Sequence, residues 1–155
     1  MAGWIGMLTK KGKYGLKAMI HLAGFAPGQP ILVSDIAEKN GIPKKFLDTI
    51  LGDLKNAGFL HSKKGKGGGY TLGRPASEIR VGHVIRVLDG PLAPIPCASR
   101  TAYQRCDDCQ NEAQCSVRLM MLDVRNAIST VLDGRTLAEM RQLAISDNLP
   151  LMYHI

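Results

Sequence analysis

Ser34-Asp35-Ile36-Ala37-Glu38-Lys39-Asn40-Gly41-Ile42-Pro43-Lys44-Lys45-Phe46-Leu47-Asp48-Thr49-Ile50-Leu51 is the stretch on which the fold turns. Ser34 is a favoured N-cap residue, with Glu38 just past the ideal capping-box position, so a short helix is expected over Asp35–Asn40. Gly41 suits the left-handed residue that ends such a helix, and Pro43 presets the start of the next. That second helix is expected over about 44–57, with Phe46, Leu47, Ile50, Leu51 and Leu54 recurring at three- and four-residue steps on one inward face. Two helices joined by a tight glycine-containing turn describe a helix-turn-helix. In such a unit the second helix lies in a DNA major groove with its first turn near the bases, which places Lys44, Lys45, Asp48 and Thr49 there. Lysine suits phosphate or guanine, Asp48 a cytosine amine, and Thr49 base or backbone. An ordinary helical hairpin would carry the same pattern, so the flanks decide.

Downstream, Phe59-Leu60-His61-Ser62 reads as a strand and Tyr70-Thr71-Leu72 as its return. Between them runs Lys63-Lys64-Gly65-Lys66-Gly67-Gly68-Gly69, a glycine-rich basic turn suited to a phosphate backbone or a narrow minor groove. Its spacing matches neither a Walker loop nor a dinucleotide fingerprint, and no helix opens directly after it. Helix-turn-helix plus basic hairpin is a winged helix. Upstream, Thr9 opens a helical pattern with Tyr14, Leu16, Ala18, Met19, Leu22 and Ala23 apolar and Lys10, Lys11, Lys13 and Lys17 charged, stopped by Pro27–Pro30. After Pro75, Val81, Val84, Ile85, Val87 and Leu88 predict a short, mostly buried helix ending at Gly90. His21, His61 and His83 stand alone and read as structural or exposed.

Charge is divided along the chain. Residues 1–86 carry 14 Lys/Arg against 5 Asp/Glu, a formal +9; residues 87–155 carry 6 against 8, or −2; the whole 155-residue chain is +7. The basic half suggests a polyanion partner. The length fits one domain, or one with an appended element. Nothing approaches eighteen consecutive apolar residues and no secretory leader is visible, so neither a membrane partner nor export is expected. A cytoplasmic location follows, where clustered cysteines bind metal or sense redox state more often than they form structural disulfides.

All four cysteines, Cys97, Cys106, Cys109 and Cys115, fall within nineteen residues, with gaps of eight, two and five. Pro91, Pro94 and Pro96 exclude regular helix up to Cys97, and Asp107, Asp108, Asn111 and Glu112 make the remainder a polar loop. Neighbouring aspartates disfavour free thiolates, whereas a bound cation or cluster reverses that balance. Iron–sulfur clusters accept irregular spacing. Zinc is plausible but less favoured, because only Cys106 and Cys109 form a C-x-x-C pair. A disulfide switch is the third possibility. A thiol oxidoreductase would need a low-pKa thiolate and a thioredoxin-like βαβ pattern, and both are missing, so no enzyme activity is expected. After the loop, Val117, Met120, Met121, Val124, Ile128, Val131 and Leu132 stripe one long helix over about 116–132; a single winged helix has little left to cover it, so a homodimer seam is expected. Thr136-Leu137-Ala138-Glu139 is a capping box for a last short helix.

Together Leu8–Tyr14, Asp35-Ile36-Ala37-Glu38, Gly65–Tyr70 and the cysteine loop resemble the Rrf-two family of bacterial winged-helix regulators, over about residues 8–137. That family includes the iron–sulfur biogenesis regulator, the nitric-oxide-sensitive repressor and the cysteine-metabolism repressor. The resemblance implies a mainly α fold with a small β-hairpin and a long C-terminal dimerisation helix. It also implies a homodimer that binds double-stranded operator DNA, usually as a repressor. Cluster-binding members hold a 2Fe-2S or 4Fe-4S cluster on three loop cysteines plus a variable fourth ligand. Cys97, Cys109 and Cys115 match that pattern, and Cys106 is an addition that could supply the fourth ligand. Arg118 stands where one member has histidine, and Lys13 where others place an acidic residue; both departures favour an all-cysteine site. By resemblance, Lys45, Asp48 and Thr49 meet bases, Lys64 enters the minor groove, and Lys10, Lys11 and Tyr14 lie near phosphates. Ser34, Lys44, Lys63, Lys66, Gly67 and Gly68 complete the candidate DNA contacts. The expected organisation is a DNA-binding domain over 7–90, a sensor loop over 91–115, a dimerisation helix and short closing helix over 116–145, and a tail over 146–155. Redox, iron–sulfur or nitric-oxide status is the implied signal.

Overall fold

A computed structural model describes residues 7–146; the residues before Met7 and nearly all of the expected tail lie outside the described residues. Helix α1 spans Lys10–Ala23, α2 Val33–Asn40, α3 Lys44–Asn56, α4 Val81–Asp89, α5 Ser116–Asp133 and α6 Leu137–Ile145. Strands β1 (Leu60–Lys63) and β2 (Gly69–Leu72) pair antiparallel, Leu60 opposite Leu72 and Lys63 opposite Gly69. The expected mainly helical winged helix is what forms, with one long helix beyond it.

Local chemistry accounts for most boundaries. The Thr9 hydroxyl accepts the Gly12 N–H and caps α1. Gly41 adopts φ 63°, ψ 37°, the left-handed conformation that turns α2 toward α3 without a Cβ penalty. Thr136 and Glu139 form the complete reciprocal capping box that starts α6. Ser34 does not cap α2. The helix starts earlier, with Leu32 as N-cap, and Ser34 sits exposed inside its first turn. The cause is tertiary: Ile31 exchanges two 2.9 Å backbone hydrogen bonds with Tyr70 of β2, so the chain leaves the wing and enters the helix immediately afterwards.

The core is assembled from α1 (Leu16, Met19, Leu22), α2 (Ile36), α3 (Leu47, Ile50, Leu51, Leu54), β1 (Leu60) and α4 (Val84, Ile85, Leu88), all buried. Two expected core residues are displaced. Phe46 lies at the margin of the α3 apolar face, stays partly exposed, and meets Tyr14 edge-on with ring centroids 5.7 Å apart. Val87 turns off the buried face of α4 and is exposed. Helix α6 enters the same core: Leu137 is fully buried, its N–H donates to the Ile79 carbonyl at 2.8 Å, and the Val81 N–H donates to Arg135 at 3.0 Å. Thus the chain returns to the winged helix after α5.

Candidate nucleic-acid interface and cysteine loop

The residues selected from sequence for DNA contact are mostly brought to the surface by short, well-ended elements. Lys44, Lys45, Asp48 and Thr49 are exposed on the first turns of α3. Lys44 reaches Asp48 at 3.4 Å, a solvated i,i+4 pair of small energetic weight. Lys63, Lys64, Lys66 and Gly67 are exposed on the wing. Gly68 is buried beneath it: a Cβ there would stand 2.2 Å from the Lys63 carbonyl oxygen, so this glycine shapes the turn and offers no outward surface. Lys10 is exposed, Tyr14 is half-buried against Phe46, and Lys11 is engaged by Asp53 of α3 at 2.7 Å. That ion pair ties α1 to the helix whose first turn carries Lys44 and Lys45.

The cysteine loop hangs from the start of α5. Cys97 is buried in a 3₁₀ turn, Pro96–Ala98, that packs on α5. Cys106 is exposed; Cys109 and Cys115 are half-buried, and all four thiols are free. Hydrogen bonding to Cys97, then the charge of Cys97, pushes the Cys106 thiol above its ordinary range. The Gln104 N–H donates to the Pro96 carbonyl at 3.3 Å, which folds the chain leading to Cys106 back toward the turn that holds Cys97. Cys115 is the N-cap of α5, its sulfur accepting the Arg118 N–H at 3.4 Å. Arg118 also donates from Nε to the Cys97 carbonyl at 3.1 Å. One arginine therefore joins the first and last cysteines to one helical turn. Arg105 donates to the Cys109 carbonyl at 3.0 Å, and Tyr103 donates to Glu112. Among the described residues no three His, Cys, Asp or Glu side chains are gathered into one cage. The donor chemistry of four free thiols fits a thiolate-bound group, although the side chains are not gathered into a cage.

The α5 stripe divides in two. Ile128 and Leu132 pack on the winged-helix core and Met121 is half-buried. Val117 (64% exposed), Met120 (58%) and Val131 (61%) face outward, with Val124 partly exposed between them. No helix among the described residues is long and apolar enough to cross a membrane.

Residues 8–142 match the family model Rrf2, described as an iron-dependent transcriptional regulator. The chain belongs to the Rrf2 family. It is 42% identical over 137 residues to an rrf2-like HTH-type transcriptional regulator of Rhodobacter capsulatus, covering 86% of this chain and 91% of that one. It is 35% identical over 144 residues to the HTH-type transcriptional regulator IscR of Vibrio atlanticus, covering 90% and 80%. The solved structure of CymR, the global cysteine regulator of B. subtilis, superposes with a TM-score of 0.72 at 31% identity, covering 92% of this chain and 98% of that chain. The fold is thus that of the winged-helix Rrf2 regulators, and the chain is a DNA-binding transcriptional regulator of the IscR and CymR type rather than an enzyme.

Arg118 and Phe46 are the site-adjacent residues whose positions the sequence pattern did not give. Arg118 stood out only as a departure from histidine, and nothing local announces that it grips Cys97. Phe46 carried a core signal, because hydrophobicity alone does not separate the centre of a helix face from its margin.

Proposed function

We propose that this Rrf2 regulator works in the cytoplasm as a homodimer on operator DNA, as a repressor, and senses redox, iron–sulfur or nitric-oxide status through its cysteine loop. The division of labour follows the chain: residues 7–90 read DNA, 91–115 sense, and 116–145 dimerise and close the core. The carrying observation is that Arg118, on the first turn of α5, holds Cys97 by its carbonyl while Cys115 caps the same turn. Any change in thiol ligation is therefore delivered to the helix whose outward apolar face is the proposed dimer seam.

The DNA contacts would be Lys44, Lys45, Asp48 and Thr49 in the major groove and Lys64, flanked by Lys63, Lys66 and Gly67, in the minor groove. Lys10, Tyr14 and Ser34 would meet the phosphate backbone, with Lys11 sharing its charge with Asp53. Gly68 would contribute through the shape of the wing. Cys97, Cys106, Cys109 and Cys115 would hold an iron–sulfur cluster, whose thiolate ligation supplies sensitivity to oxidants and nitric oxide. A second reading, a thiol–disulfide switch, is favoured by the Gln104–Pro96 hydrogen bond, which folds the chain leading to Cys106 back toward the turn that holds Cys97.

Protein purified without oxygen separates the two. Broad visible charge-transfer bands, with matched iron and sulfide per chain and an operator affinity that changes on oxidation, are the expected result. A colourless chain with about one zinc would make the loop a zinc site. A colourless, metal-free chain whose DNA affinity responds to oxidation, and in which C106S abolishes that response, would replace the cluster by the disulfide. Operator affinity identical in loaded, apo and oxidised protein would overturn the sensing role altogether.

A further inference from the structure

Beneath the base of the cysteine loop lies a cavity of about 270 Å³, walled by α4, residues 91–101 and α5. Its charged and titratable lining is His83, Arg86, Arg100, Arg125 and Asp133, with the Ser129 hydroxyl among the neutral polar groups. Asp133 is the one carboxylate among them, and Arg86 takes both of its oxygens, at 2.6 and 2.8 Å. Arg100 and Arg125 have no carboxylate partner among the described residues. Both lean instead on a single neutral acceptor, Asn126 Oδ1, at 3.4 and 2.5 Å. Arg125 is only 8% exposed and is the one buried side chain of α5 among the described residues. Asp133 is the one carboxylate whose charge acts on Arg125, and Arg86 already takes both of its oxygens, so burial first, and then repulsion from Arg100 and Arg86, lower the Arg125 pKa. A second, independent observation points to the same place. The Ser129 hydroxyl is buried and has no hydrogen-bond partner, a state native structures seldom leave unanswered.

We propose that this cavity is a binding site for a small oxyanion-bearing molecule, a phosphate, sulfate or compact dicarboxylate, held by Arg100 and Arg125 with Ser129 donating to it. Guanidinium forks match such oxygens bidentately, and the hydroxyl completes the shell. One anion there answers both unmet demands, the excess of arginine over carboxylate and the orphan hydroxyl. It would also bridge α4 of the winged helix, the segment entering Cys97, and α5. None of the four thiols lines the cavity, so the site serves as a second input to the regulator beside whatever the cysteines hold.

Calorimetric titration of the full chain at low ionic strength tests this, with inorganic phosphate, sulfate and succinate as probes and chloride as control. The expected result is saturable binding of at least one probe, one per chain, with a Kd at or below about 1 mM. R100Q and R125Q should each weaken it by roughly tenfold or more, and K64Q on the wing should leave it unchanged. Arg100 is exposed, so R100Q keeps the test valid even where R125Q perturbs folding. Saturation by none of the three probes below about 1 mM, affinity unaffected by R100Q, or equal weakening by K64Q would each overturn the site; the last would assign the anions to the DNA-facing lysines.

Discussion

Asp133 shows how one residue can connect the parts of this regulator. It closes α5, and the Arg86 guanidinium beside it holds its carboxyl below the ordinary carboxylate range, chiefly by hydrogen bonding, while Arg86 is raised in return. A carboxylate depressed in the folded state adds stability above its unfolded pKa, and that increment is lost as pH falls through the folded value. D133N should therefore lose about 0.5–1 kcal/mol near neutral pH, a figure kept small because both partners are partly solvated. The difference from wild type should begin to shrink at about pH 4, where the unfolded carboxyl titrates, and keep shrinking as pH falls toward the lower folded value. Urea melts at stepped pH between 3 and 7 check this; a difference that grows toward acid would contradict the assignment. At the same scale, C97S and C115S should each remove a proposed cluster thiolate while keeping the Cys97 carbonyl and a capping acceptor at 115, read as loss of visible absorbance and of any oxidant response in DNA affinity with the fold intact.

At the level of elements, the wing and α6 carry the clearest consequences. Three exposed lysines on a glycine-shaped turn suit the wing to the proposed phosphate contact, so neutralising Lys63, Lys64 and Lys66 together should lower the salt slope of operator binding by roughly two to three per protomer. Titration of a labelled operator at several salt concentrations measures it, and an unaltered slope would remove the wing from the interface. Helix α6 depends on its cap: Thr136 is buried, and both halves of its box form. T136A should cost about 1 kcal/mol and lower the melting temperature by about 2–4 °C. The cap was readable in the sequence because all its partners lie within four residues of one another. The destination of α6 was not, since Leu137 meets Ile79 only after the long α5 has turned the chain back.

For the whole molecule, the outward half of the α5 stripe is the proposed seam between two copies, and a two-fold pair of winged helices suits a two-fold operator. A charged residue at its centre should be incompatible with burial. M120E combined with V131E should convert the dimer to a monomer by light scattering and reduce operator affinity at least tenfold, while the circular dichroism of the fold persists. A dimer mass that survives the double substitution would place the seam elsewhere.

The fold class, the winged helix and the charge division were determined by the sequence alone, because they rest on signals of short range. Thr9, Gly41, Pro43 and the Thr136 box act on their immediate neighbours, and the lysines cluster in the chain itself. The concentration of four cysteines was equally plain. Tertiary structure alone decided where α2 begins, since Ile31 must first pair with Tyr70, and that Phe46 leaves the core for the ring of Tyr14. It also set Cys97 under the grip of Arg118, and left Arg125 buried without an ion-pair partner among the described residues. Each of these depends on partners distant in the chain, whose meeting is governed by how the helices pack, and no local pattern encodes that.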